Sequence, residues 1–215
     1  MINDEVIESN KERFIELVKA IDVLRPGNRI TELIGKLERS DFFYAPCSTK
    51  YHLNCKGGLC QHSLNVYDNL KTLVKTYEIS GIDESAILIT ALFHDISKMN
   101  FYMPSYKNVK VYSEDGDKQD NLGRFSWVSQ ESFVVRDVDK RFVYSTHGAN
   151  SEYIIRQYIN LTLEESCAII NHMCGMDNNT SRESMWGEIY NDYKLASLLH
   201  IADMISSYIT EVDDE

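Results

Sequence analysis

The residues best suited to chemistry in this chain are imidazoles and carboxylates that recur in a fixed order: His62, the adjacent pair His94 and Asp95, then His147, His172 and Asp203. Each falls on or at the end of a segment that reads as helix. Neutral imidazole nitrogen and ionised carboxylate oxygen are natural donors for a divalent transition metal, and delivery of several from separate helices is what such a site needs. The chemistry this points to is hydrolysis by a metal-activated water, with no covalent protein nucleophile.

The elements that must position these residues are mostly helices. A first apolar face runs through Ile7, Phe14, Leu17, Val18 and Ile21 and closes at Pro26-Gly27; a second, short one carries Ile30, Leu33, Ile34 and Leu37. Residues 40–58 read as a loop, with Pro46 and the Gly57-Gly58 break. From Leu59 to about Tyr77, the positions Leu64, Val66, Leu70 and Leu73 mark a helix with His62 in its first turn. Asp83 caps a strongly apolar helix through Ile87, Leu88, Leu92 and Phe93, whose end presents His94 and Asp95 and whose apolarity implies burial on most sides. Helical periodicity returns at Asn150 with Ile154, Ile155 and Tyr158. Thr162-Leu163-Glu164-Glu165 has the spacing of a capping box that opens a helix ending near His172. A final helix from about Asp192 to Ile209 carries Asp203, with Leu195, Leu198, Leu199, Ala202 and Ile205 inward.

Between Met99 and Tyr144 the pattern changes to alternation broken by turn residues. Val109–Tyr112, Arg124–Val128 and Phe133–Val135 read as two or three short antiparallel strands. The fold expected is mainly α: one helical domain over residues 1–215, with a small antiparallel β-hairpin insert at residues 99–145.

At 215 residues and 43% hydrophobic, the chain can bury one substantial core but not two large domains. No apolar run reaches the length of a membrane span, and the N-terminus Met1-Ile2-Asn3-Asp4-Glu5 is acidic rather than basic and then apolar. A cytoplasmic protein without a membrane partner is expected. Five cysteines, Cys47, Cys55, Cys60, Cys167 and Cys174, form an odd set without a Cys-x-x-Cys pair, which fits reduced thiols; Cys55, Cys60 and His62 offer the one arrangement in which a zinc knuckle can be imagined. The formal net charge of −11 argues against a grip on long nucleic acid, which needs a basic stripe. It favours a small phosphorylated substrate whose charge is met by metal ions.

Three stretches carry a resemblance. Ala91-Leu92-Phe93-His94-Asp95-Ile96-Ser97-Lys98 is preceded by Gly57-Gly58-Leu59-Cys60-Gln61-His62-Ser63 and followed by Leu199-His200-Ile201-Ala202-Asp203. From about Tyr51 to Asp203 the chain resembles the HD-domain phosphohydrolase superfamily, named for its adjacent His and Asp ligands. The resemblance implies an HD-domain helical bundle with one or two divalent ions, drawn from Mn, Fe, Co, Ni, Mg and Zn. It places His62, His94, Asp95 and Asp203 on the first ion, and Asp95 with His147 and His172 on the second. The implied reaction is cleavage of a phosphomonoester or phosphodiester bond of a nucleotide, cyclic nucleotide or short oligonucleotide. Asp95 would be the catalytic bridge, and Lys98 would contact a substrate phosphate as a point charge.

Further candidates for substrate binding are His52, just before the Gly-Gly turn, and Arg124, in an insert pinned at both ends beside the ligands. His200, three residues before Asp203, is placed to orient that carboxylate or to pack. Two positions depart from the family pattern. Ser97 stands where Gly is common, and Asn171 where a second histidine is common, which leaves a second ion short of donors and keeps a one-metal form, like the HD 5′-nucleotidases, open. The same ligands would suit an HD-type di-iron oxygenase. A non-catalytic regulatory module with a structural metal is the third class, and the intact ligand set argues against it, because a structural site needs no open coordination position.

Overall fold

The computed structural model describes residues 2–174 and 183–212. In chain order these form α1 (Asp4–Leu24), α2 (Ile30–Arg39), α3 (Gly58–Thr76), α4 (Glu84–Phe93), β1 (Tyr102–Tyr112), β2 (Lys118–Asp120), β3 (Gly123–Val135), α5 (His147–Ile155), α6 (Leu163–Asn171), α7 (Glu183–Asp192) and α8 (Lys194–Ile205). The fold is mainly α with one small antiparallel sheet.

Helix α4 is the centre of the packing. Asp83 caps it by accepting from the Ala86 amide, and every residue from Ile87 to Phe93 is buried, against α1, α3 and α6. A helix this apolar has no face left for water, so its C-terminal end, where His94 and Asp95 sit, is delivered deep into the molecule. The irregular segment 40–57 is tied to the same core by Phe42 and Phe43, whose rings pack on Phe14 at centroid distances of 5.0 and 5.8 Å. Burial of each phenylalanine contributes roughly 2–3 kcal/mol. A loop thus acquires the fixed position of a helix, and it carries Cys47 and His52.

The capping box at the start of α6 forms as its spacing predicts: Glu165 N–H donates to Thr162 Oγ1 and Thr162 N–H to Glu165 Oε2. The Glu165 carboxylate is 1% exposed and also receives both terminal nitrogens of Arg25, at 2.9 and 2.7 Å, while Arg25 Nη2 reaches Ser85 Oγ at 2.7 Å. One arginine therefore joins the end of α1 to the starts of α4 and α6.

Three expectations need correction. Helix α5 begins at His147, capped by Thr146, rather than at Asn150. The expected final helix from Asp192 to Ile209 is α8, which begins at Lys194 and widens into a π-turn over Ser206–Thr210, and it is preceded by α7, a helix not expected from the sequence. The Ser206 hydroxyl turns back onto Ala202 O, competing with the backbone ladder there, and the Ser207 hydroxyl donates to the Asp203 carboxylate. The insert is not two or three short strands but two long ones and a short one, in the order β1-β3-β2. Tyr102 pairs with Val135 and Tyr112 with Phe125, so the polar run Ser129–Ser132 lies inside β3, opposite Asn108 to Ser105. Alternation fails as a guide because most of this ribbon is exposed on both faces. Pro104, which lacks an amide hydrogen, is accommodated on β1, an edge strand.

Candidate metal centre

Five backbone sites converge on one buried cluster. His62 lies in the second turn of α3, which can start where it does because Gly58 packs onto the preceding loop: a Cβ there would lie 2.1 Å from Leu53 O. His94 terminates α4, and Asp95 begins the single 3-10 turn Ile96–Lys98. His147 opens α5, and His172 terminates α6. The last two helices meet closely at Gly148, where a Cβ would lie 2.6 Å from Ile170 O. Asp203 comes from α8.

The imidazoles are oriented by their outer nitrogens. His94 Nδ1 donates to Ala91 O at 2.8 Å, His172 Nδ1 to Ile169 O at 2.7 Å, and His62 Nδ1 lies 3.0 Å from both oxygens of Glu211. The carbonyl-bound Nδ1 atoms of His94 and His172 carry the proton, so their Nε2 atoms present lone pairs inward, and the Glu211 carboxylate takes the Nδ1 proton of His62. The inward atoms form two pairs: His62 Nε2 and His94 Nε2 are 3.2 Å apart, His147 Nε2 and His172 Nε2 3.0 Å. Lone pairs this close repel unless a proton or cation lies between them. Two nitrogens bound to one ion at 2.0–2.1 Å are separated by about 2.9–3.3 Å for angles between octahedral and tetrahedral.

Asp95 spans the two pairs. Its Oδ2 lies 3.5 Å from His94 Nε2 and 3.8 Å from His62 Nε2; its Oδ1 lies 3.6 Å from His147 Nε2 and 3.7 Å from His172 Nε2. Oδ2 accepts from Lys98 Nζ at 2.6 Å, whereas Oδ1 is buried with no hydrogen-bond partner among the described residues. A buried carboxylate oxygen without a donor, beside two imidazoles, is costly as it stands, and a cation removes that cost. Asp203 Oδ1 closes the other side, 3.2 Å from His62 Nε2. The residues present therefore fit a divalent metal, with groups of donor atoms lying within 4.8 Å of one another around both positions.

Electrostatics agree with the geometry. Burial, reinforced by His147 and His94, holds His172 down to about 3, and burial likewise lowers His94, so both are neutral at pH 7 as ligands must be. Burial would also lower His62, yet Cys47, Asp203 and Glu211 raise it well above the ordinary value. For Asp95, burial is outweighed by Lys98 and the surrounding histidines, which keep it ionised. The cavity stabilises positive charge near His62 and negative charge on Asp95.

All six ligands expected from sequence are brought together, and Lys98 and His52 lie beside them. His52 Nε2 is 3.3 Å from Cys47 Sγ and 3.4 Å from Ser207 Oγ. Arg124 is not in the cluster. Its Nε donates to Gly116 O in the distal turn of the ribbon. The ribbon's near end, Tyr102, reaches Cys47 O, and ten residues of strand at about 3.3 Å each separate it from Tyr112, beside Arg124. His200 donates to His172 O, not to Asp203. Asn171 turns its side chain to Cys167 O, away from the second histidine pair. Ser97, in the place of the commoner glycine, donates to His147 O and accepts from Ser151 Oγ, latching the Asp95 turn to α5. The zinc-knuckle arrangement does not form: Cys60 and His62 are two residues apart on one helix and so face different ways.

Sequence reasoning missed two members of the site. Glu211 is delivered by the π-turn, 1% exposed, and is held by Asn65 Nδ2 at 2.9 Å. Cys47 comes from the loop at 40–57. Neither residue lies on a periodic segment, so no sequence signal pointed to them.

The HD domain family model matches residues 59–207, which includes every one of the six ligand candidates. No curated protein and no solved structure matches the chain. No helix among the described residues is long and apolar enough to cross a membrane. With the match covering more than half of the chain and the adjacent histidine and aspartate at the centre of a buried donor cluster, this chain belongs to the HD-domain family of metal-dependent hydrolases.

Proposed function

We propose that the protein is a phosphohydrolase that cleaves a phosphomonoester or phosphodiester bond of a nucleotide, cyclic nucleotide or short oligonucleotide, with residues 1–215 as one HD-type domain and 99–145 as its insert. The observation that carries the reading is Asp95, whose two oxygens each face a separate histidine pair while one of them has no hydrogen-bond donor among the described residues. His62, His94, Asp95 and Asp203 would hold one divalent ion, and Asp95, His147 and His172 a second. When bound, such ions lower the pKa of a water and neutralise charge developing on phosphoryl oxygens.

The chain's own residues supply the rest. Carbonyl and carboxylate partners on the outer nitrogens hold the imidazoles in one tautomer. Lys98, 18% exposed at its side chain, sits at the edge of the cluster and offers its ammonium to a phosphate oxygen in exchange for Asp95 Oδ2. His52 lines the same edge. The chain's net charge of −11 supports a small substrate over long nucleic acid, and a cytoplasmic setting fits five cysteines without a disulfide framework.

A screen of purified protein against nucleotides, cyclic nucleotides and model phosphodiesters, with Mn, Mg, Co, Ni and Fe in turn, tests this reading. Metal-dependent phosphate or nucleotide release is the expected result. Oxygen uptake by the iron form without hydrolysis of any phosphoester would replace it with the di-iron oxygenase reading.

A further inference from the structure

Among the described residues, one metal-capable group contains a thiol. Cys47, His52 and His62 each place a donor atom within 4.8 Å of the others. Cys47 is fully buried, its Sγ 3.3 Å from His52 Nε2 and 3.8 Å from Lys98 Nζ. The His52 and His62 rings lie against each other at 5.0 Å. A cysteine kept only for packing sits among apolar neighbours, as Cys60 does in the hydrophobic core. Cys47 has two imidazoles and an ammonium instead.

The spacing suits ligation. Across one ion, a thiolate sulfur at 2.3 Å and an imidazole nitrogen at 2.0–2.1 Å are about 3.1–3.6 Å apart for angles between octahedral and tetrahedral. The Cys47–His52 distance is 3.3 Å, and His62 already presents its Nε2 to Asp203 and His94. The Lys98 ammonium, 3.8 Å from the sulfur, adds positive charge, which favours the thiolate that a metal requires. Phe42 and Phe43 fix the loop from which both Cys47 and His52 project.

We propose that Cys47 and His52 are ligands to the ion at His62, giving this HD centre a thiolate on one side and a preference for thiophilic ions such as Zn(II), Co(II) or Fe(II) over Mg(II). The proposal rests on reading the His62, His94 and Asp203 cluster as a metal site. It predicts a soft ligand in what the family resemblance describes as an all-nitrogen and oxygen shell.

The test is optical. Chelated, reduced protein is titrated with Co(II), and two signals are read: visible ligand-field bands, which report cobalt in the site, and a near-ultraviolet thiolate-to-cobalt charge-transfer band, which reports sulfur bound to it. Wild-type protein should show both. Cys47→Ser should keep the visible bands, lose the charge-transfer band, and bind cobalt at least about tenfold more weakly, the scale at which even outer partners of a ligand act. Cys174→Ser, which removes the thiol two residues after His172, should keep both signals. X-ray absorption of zinc-loaded wild-type protein needs no variant and should show a sulfur neighbour at about 2.3 Å. Visible bands without charge transfer, or charge transfer that survives in Cys47→Ser, overturns the thiolate ligand and leaves the metal centre standing. No cobalt binding at all overturns both.

Discussion

Asp95 carries more of the account than any other residue, because its two oxygens face different histidine pairs and it is kept ionised at the end of the most buried helix. Replacing Asp95 by Ala removes the bridge and should lower phosphoester turnover by at least about a hundredfold, while circular dichroism shows the helical content unchanged; near-normal turnover would mean that Asp95 bridges nothing. Glu211 acts one step further out, through His62. Glu211→Gln should weaken metal binding by about 10–100-fold and leave turnover recoverable at high metal, which a titration of activity against metal concentration reads directly. The six ligand candidates were legible in the sequence because each begins, ends or lies along a helix that capping and periodicity locate. Glu211 and Cys47 were not, since a π-turn and an irregular loop give side chains no period from which to infer direction.

At the scale of elements, the site depends on how closely its helices approach. Gly148 lets α5 lie on the end of α6, and a side chain there meets the Ile170 carbonyl at 2.6 Å. Gly148→Val should cost about 1–3 kcal/mol by overpacking and pull His147 away from His172, so denaturant unfolding and the stoichiometry of bound metal should both fall. An unchanged stoichiometry would show that the second histidine pair is not a ligand pair. Arg25 is a different kind of joint, since Arg25→Met leaves the Glu165 carboxylate buried without its cation; a loss of about 2–3 kcal/mol is expected, discounted because Arg25 itself is partly exposed. The β insert was visible as a change of pattern at Met99, but its strand lengths were not. A ribbon solvated on both faces has no buried side to impose alternation, and the polar stretch Ser129–Ser132 looks like a break while pairing throughout. Because Arg124 and the distal turn lie far along that ribbon, replacing residues 113–122 by a short Gly-Ser turn should leave both nucleotide selectivity and hydrolysis of a small phosphoester unchanged. Altered selectivity would mean that the ribbon folds over the site.

For the molecule as a whole, the histidine and carboxylate cluster is a concentration of buried polar groups that the apolar core alone does not stabilise. His62 Nε2 and His94 Nε2 lie 3.2 Å apart, and Asp95 Oδ1 is buried with no hydrogen-bond partner among the described residues. A cation binds the folded state and not the dispersed ligands of the unfolded chain, so metal should raise thermal stability in proportion to the logarithm of its concentration. A net charge of −11 sets the protein's overall field against a phosphate, so positive charge for the substrate must come from within the cluster. The most direct measurement is therefore to strip the protein with chelator, restore single divalent metals, and follow both bound metal per chain and hydrolysis of a model phosphoester. The stripped protein should show no hydrolysis, with recovery that tracks ion binding; full hydrolysis in excess chelator, with metal analysis finding none bound, would overturn the metal-dependent reading.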